Sequence, residues 1–334
     1  MKLRLFSMLS AFVLLASADD CAAAEPLRFS DEGRFRIVQF TDAHVRCDKP
    51  DEMAKTVDRL EWIIAEERPD LVIFTGDVVT GRPAVKAWRA ILAPVAQNGI
   101  PFVVVYGNHD REQDLKESEL AQLITGYPNS LNTTSDGRLD DVAVEVLSRD
   151  GDSAAALLYC LDSHDYSTVD GIKGYGWIDF EQIGWYRSLS RAYTAANGGR
   201  PLPSYAFFHI PLPEYAEACA ASEKSVRGIR REEECAPKIN TGMFAAMKEC
   251  GDVVAVFVGH DHDNDYIVPY HGVALAYGHY SGDNTVYNHL WHGVRVIELR
   301  EGERDFRTWI RRRDNRKIDE VVFDAKASKL REAK

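Results

Sequence analysis

Much of the usual catalytic vocabulary is missing from this chain. It has no Gly-x-Ser-x-Gly elbow, no Walker loop and no complete Gly-x-Gly-x-x-Gly. That removes elbow-type serine hydrolases, P-loop nucleotide hydrolases and dinucleotide enzymes from consideration. No Cys-x-x-Cys occurs, so neither a thioredoxin-type site nor a structural zinc ribbon is indicated. Basic residues are in the minority, 40 Lys and Arg against 52 Asp and Glu, for a net charge of −12. This disfavours nucleic acid and anionic membrane surfaces as partners. No repeat, linker or low-complexity segment divides the 334 residues, and nothing specifies an oligomeric state. Beyond the N-terminus no apolar run is long enough to span a bilayer.

The N-terminus reads as a secretory signal, residues 1–24. Lys2 and Arg4 precede an apolar run from Leu5 to Ala16, followed by small residues. Cleavage after Ala18 or Ala24 fits, and Asp19 and Asp20 rule out a lipobox at Cys21. An exported location, periplasmic or secreted, is expected, with no membrane span in the mature protein. Removing Lys2, Arg4, Asp19 and Asp20 leaves the charge at −12. Export permits disulfides. Cleavage after Ala24 removes Cys21 of the six cysteines, and the odd remainder then leaves at least one free thiol. Cys219 and Cys235, flanking a polar stretch, are the first candidates for a disulfide.

From Phe35 onward strand-like and helix-like segments alternate. Strands are expected at 35–40, 71–74, 102–106, 142–147, 154–161, 205–208 and 253–258. Helices are expected around Met53–Ile64, Val85–Val95, Phe180–Leu189 and Thr241–Cys250. The last third is β-rich, around Ile267 and at 273–277, 294–299 and 306–310. Strands apolar on both faces imply a sheet covered by helices, an α/β (α+β) architecture. A single domain with its core at about 28–312 is expected, and the remaining tail, beginning with the Arg311-Arg312-Arg313 run, reads as polar surface.

Five of these strands end on chemistry. Residues 35–40 lead to Thr41-Asp42-Ala43-His44, 71–74 to Thr75-Gly76-Asp77, and 102–106 to Gly107-Asn108-His109-Asp110. Residues 205–208 lead to His209, and 253–258 to Gly259-His260-Asp261-His262. Ligands bind past the carboxyl ends of strands in open α/β sheets. Any one of these segments alone reads as a turn or a lone histidine. Five together, holding five of the ten histidines, do not.

In that order, Asp-x-His, Gly-Asp, Gly-Asn-His-Asp, a lone His and Gly-His-x-His resemble the calcineurin-like metallophosphoesterase family, from about Phe35 to His262. The resemblance implies a four-layer α/β/β/α sandwich of two mixed sheets, the metallo-dependent phosphatase type, with a two-metal site along one edge. Carried over by position, Asp42, His44 and His262 would hold one metal, and Asn108, His209 and His260 the other, with Asp77 bridging. Carboxylate, imidazole and amide donors suit divalent Mn, Fe or Zn. A hydroxide shared by two such ions would attack phosphorus in line. His109 would contact the phosphate or protonate the leaving oxygen, with Asp110 orienting its ring.

Purple acid phosphatases carry a tyrosine three residues after the bridging aspartate. Here that position is Thr80, and His44 is present, so the chain is similar to a colourless branch related to those enzymes. Leu161-Asp162-Ser163, Gly174–Ile178 and Trp185-Tyr186 share that resemblance. The expected function is an exported phosphomonoesterase acting on a small-molecule phosphoester. A phosphodiesterase for nucleotide or lipid-headgroup diesters is the alternative, and a non-catalytic binding protein on the same fold a third reading. His164, His279, Tyr280 and Asn284 are candidate substrate-lining residues. Asp261, Asp263 and Asp265 imitate a calcium loop but lack its glycine and its final glutamate (Tyr266 and Gly272 stand there), leaving them as rim or supporting acids. The 211–237 loop is a candidate pocket wall.

Overall fold

In a computed structural model describing residues 26–283 and 286–333, the chain forms two mixed sheets faced by helices. The elements in order are β1 (Arg34–Phe40), α1 (Pro50–Glu67), β2 (Leu71–Thr75), α2 (Ala84–Gln97), β3 (Phe102–Val105) and α3 (Glu117–Thr125). A small hairpin, β4 (Thr134–Ser135) and β5 (Arg138–Leu139), leads to β6 (Val142–Leu147), β7 (Ala154–Cys160), α4 (Phe180–Ala196), β8 (Ser204–Phe207), α5 (Glu214–Ala221) and α6 (Met243–Cys250). The last strands are β9 (Val253–Val258), β10 (Ile267–Tyr270), β11 (Val273–Tyr277), β12 (Gly293–Arg300), β13 (Phe306–Arg312), β14 (Lys317–Asp324) and β15 (Lys329–Glu332).

The first sheet runs β15-β14-β13-β12-β1-β2-β3, with β1, β2 and β3 parallel. The second runs β10-β11-β9-β8-β7-β6, with β7, β8, β9 and β11 parallel. Successive strand side chains point to opposite faces, and this sorts the apolar residues into three layers. Ile37, Ile73 and Val103 pack against Leu158, Phe207 and Phe257 between the sheets. Val38, Val72 and Phe74 face Leu60, Ile63, Trp88 and Ile91 of α1 and α2. Leu157, Ala206 and Val256 face Tyr186, Tyr215 and Met247 of α4, α5 and α6. The layers are therefore α/β/β/α. Among the described residues no helix is long and apolar enough to cross a membrane.

The parallel strands bring their carboxyl ends to one edge where the sheets meet. Gln39 ties the sheets there: its amide donates to Thr75 Oγ1 at 2.8 Å and to Val258 O at 3.1 Å. The expected strands and helices recur with shifts of one to a few residues at their ends.

The C-terminal tail departs from expectation. Residues 317–332 continue the first sheet as β14 and β15, with Val321 and Phe323 buried between the sheets. Charges hid the alternation, because Lys317 and Glu320 pair on the partly exposed side of β14. Helices α3 and α5 were also unforeseen. Phe323→Ala should cost about 3 kcal/mol by emptying a core site, measured as a shift of the denaturation midpoint. A cost under about 0.5 kcal/mol would return the tail to the surface.

Candidate metal centre

The loops past β1, β2, β3, β8 and β9 converge. Two groups form, Asp42, His44 and His262 in one and Asp77, His209 and His260 in the other, with all their ligand atoms within 4.8 Å inside each group. Asp77 lies between them. Its Oδ2 is 3.3 Å from His209 Nε2 and 3.8 Å from His44 Nε2. In the first group His44 Nε2 and His262 Nε2 stand 3.0 Å apart, and His262 Nε2 is 3.6 Å from Asp42 Oδ1. In the second His260 Nδ1 is 3.3 Å from His209 Nε2.

The backbone is bent to achieve this. Asp42, His44, Asp77 and His260 have φ of 52°, 42°, 49° and 79°, a left-handed conformation that side chains disfavour. Gly259 is required by close approach, since a Cβ there would stand 1.9 Å from Thr41 Oγ1 and 2.7 Å from Asp42 Oδ2.

Hydrogen bonds turn the donors inward. His209 Nδ1 donates to Thr75 O at 2.7 Å and His262 Nδ1 to Tyr287 O at 2.9 Å, so each ring turns its Nε2 to the centre. Asn108 Nδ2 donates to Tyr166 Oη at 3.3 Å, while Asn108 Oδ1 is buried with no protein partner. Converging imidazole nitrogens, two buried carboxylates and a buried amide oxygen without a protein partner make an N/O donor set that fits first-row divalent ions. Asp42, His44, Asp77, Asn108, His209, His260 and His262 would hold them.

The titration behaviour has the same origin. Burial raises Asp42 and pushes His44 down to about 3. Burial alone would raise Asp77 and lower His209. Their mutual charge and hydrogen bond win instead, holding Asp77 well below its usual range and His209 up at about 10. Burial opposes the His109 cation as well, but Asp77 and Glu112 overcome it and raise His109.

Asp110 does not orient His109. It is buried and accepts from Val78 and Val79 N–H at 2.9 and 3.0 Å and from Gly107 N–H at 2.8 Å, lacing the β2 and β3 loops together. The ring partner of His109 is Glu112, with Oε2 2.7 Å from Nδ1. Three-residue spacing within a turn was the only signal for it. His109 N–H donates to Asp77 Oδ1 at 2.9 Å.

Of the substrate-lining candidates, His164 lines a cleft of about 590 Å³ together with Arg111, Asp162 and Tyr166. His279 is withdrawn from the surface. It is buried and locked between Asp265 Oδ2, at 2.9 Å, and Trp291 O. Tyr280 is buried too and packs behind His44 and His262 with ring centroids 6.4 and 5.2 Å away. Asn284 lies outside the described residues. Asp261, Asp263 and Asp265 are buried supports and do not form a rim; Asp261 accepts from Cys235 N–H at 3.1 Å and Asp263 from His289 N–H at 2.6 Å. Cys219 and Cys235 are both free. Cys219 is buried among the apolar residues under α5, whereas Cys235 is exposed beside Asp261, so nearness in sequence did not become a bond. The 211–237 segment holds α5, and its later part lies along 261–265.

Comparison with known proteins bears on this geometry. The calcineurin-like phosphoesterase family matches residues 35–264. "Probable inactive purple acid phosphatase 29" of Arabidopsis thaliana is 32% identical, covering 98% of this chain and 97% of that protein. "Phosphatase DCR2" of Saccharomyces cerevisiae is 31% identical over 86% of this chain and 55% of its own length. In fold, a dimetal phosphatase from Danio rerio superposes with a TM-score of 0.61 at 15% identity, over 86% of this chain and 98% of that one. Matched along its strand-end loops and along nearly the whole length of a relative, the chain belongs to the calcineurin-like phosphoesterases.

Proposed function

We propose that this chain is an exported, metal-dependent hydrolase of phosphate monoesters. The observation that carries the reading is the single Asp77 oxygen facing both donor groups, with His109 anchored to the other oxygen of the same carboxylate. When bound, a pair of divalent cations supplies Lewis acidity toward phosphoryl oxygens and an acidified water. The chain supplies the rest. Seven buried donors fix where a phosphoryl group can sit. His109, raised in pKa and with 38% of its side chain exposed, can hold a phosphoryl oxygen or give a proton to the departing alcohol. Thr80 offers no phenolate, so a colourless centre is expected.

The name of the plant relative says inactive and that of the yeast relative says phosphatase. Here the full donor set and His109 favour turnover over a binding protein. A diesterase would need the same centre, so parallel rates on mono- and diesters separate the two readings.

Chelated protein should be inert on an aryl phosphate and regain turnover with Mn²⁺, Fe²⁺ or Zn²⁺. No metal-dependent turnover of any phosphoester would refute the proposal. His109→Ala should keep two metals per chain by elemental analysis yet lose about 10²- to 10⁴-fold in kcat on an alkyl phosphate, whose leaving group needs the proton; an unchanged rate there would remove His109 from the chemistry. For export, N-terminal sequencing of protein recovered outside the cytoplasm should begin after Ala18 or Ala24, and an intact Met1 there would contradict the signal assignment.

A further inference from the structure

The loop carrying Asn108 and His109 turns back on itself at Glu112. The Glu112 N–H donates to His109 O at 3.2 Å, which returns the carboxylate to the imidazole of its own loop. The two oxygens divide their work. Oε2 is 2.7 Å from His109 Nδ1, and Oε1 accepts from the Tyr166 hydroxyl at 3.4 Å. That hydroxyl also accepts from Asn108 Nδ2 at 3.3 Å. Tyr166 in turn stacks on Tyr175 at 5.7 Å, and Tyr175 stands edge-on to His260 at 4.3 Å. One carboxylate thus connects the His109 ring, through a single phenol, to a metal-type donor. The cation next in sequence does not compete for it, because Arg111 is committed to Glu117, Asp162 and Asp165.

We propose, building on the phosphoesterase reading above, that Glu112 is the positioning residue of His109, fixing the ring so that only Nε2 faces the substrate. A carboxylate can only accept, so Nδ1 keeps its hydrogen and the ring cannot swing away without breaking a charge-assisted bond. In the step assigned to His109, the phosphorus–oxygen bond to the alcohol breaks and its electron pair stays on the ester oxygen. That oxygen takes the Nε2 proton. An oxygen from water forms the new bond to phosphorus, and the water releases a proton to solvent, from which His109 is recharged. The products are inorganic phosphate and the neutral alcohol. His109 Nδ1–H stays on Glu112 throughout.

Such a residue leaves a signature that a merely structural one does not. An alkoxide is a poor leaving group and needs the proton, whereas nitrophenolate departs without it. Wild-type protein, Glu112→Gln and Glu112→Asp, each full length and loaded with Mn²⁺, would be compared on glycerol phosphate and nitrophenyl phosphate. Glu112→Gln should lower kcat by about 30-fold or more on the alkyl ester but less than about threefold on the aryl ester, with KM nearly unchanged. Glu112→Asp should recover most of the loss, and all three proteins should hold two metals per chain. Equal losses on both esters, no loss on either, or loss of metal in Glu112→Gln would each overturn the positioning role. Wild-type protein inert on both esters would defeat the phosphoesterase reading itself and this inference with it.

Discussion

A carboxylate buried among imidazoles from both sheets is the constraint on which the rest depends. Asp77 is 1% exposed, and an unpaired anion at such a depth is strongly unfavourable. Its two oxygens reach His44, His209 and the His109 peptide, so the β1, β2, β3 and β8 loops must all arrive at one point. Four donor residues accept left-handed backbone to get there, at about 1–2 kcal/mol each. The three apolar layers supply the rigidity that holds these angles. Strain of this kind persists only where the surroundings over-determine it.

Much of this was legible in the sequence because it is written in local pattern. A β-branched run finishing on Gly-Asn-His-Asp or Gly-His-Asp-His places its donors by strand geometry alone, and the seven donors fall where the strands put them. Features that depend on partners distant in sequence were not legible. Asp110, next to His109, looked like its partner, but Val78 and Val79 N–H of the neighbouring loop claim one of its oxygens and Gly107 N–H of its own loop the other. Glu112 reaches the ring only because the loop turns. His279 and Tyr280 share a polar neighbourhood in sequence that the fold places inside the molecule. In β14, the charged residues Lys317, Asp319, Glu320 and Asp324 on either side of Val321 and Phe323 concealed a core strand.

The shell around the donors is as specified as the donors. Thr75 O orients His209, Tyr287 O orients His262, and Tyr166 turns the Asn108 amide. Each hydrogen bond fixes which atom faces inward, and such outer contacts govern metal affinity nearly as strongly as the ligands do. Sequence pattern names the ligands; the surrounding carbonyls and hydroxyls decide how they are aimed.

Each donor group draws on both layers of the sandwich. Asp42 and His44 leave the first sheet while His262 leaves the second; Asp77 leaves the first while His209 and His260 leave the second. An ion in either position would therefore act as a rivet through the seam between the sheets. All five cysteines in the described residues are free, so no covalent cross-link shares that task there. Loading the centre would therefore add to the hold that the apolar layer between the sheets already provides, and the stability of the sandwich would rise with metal supply.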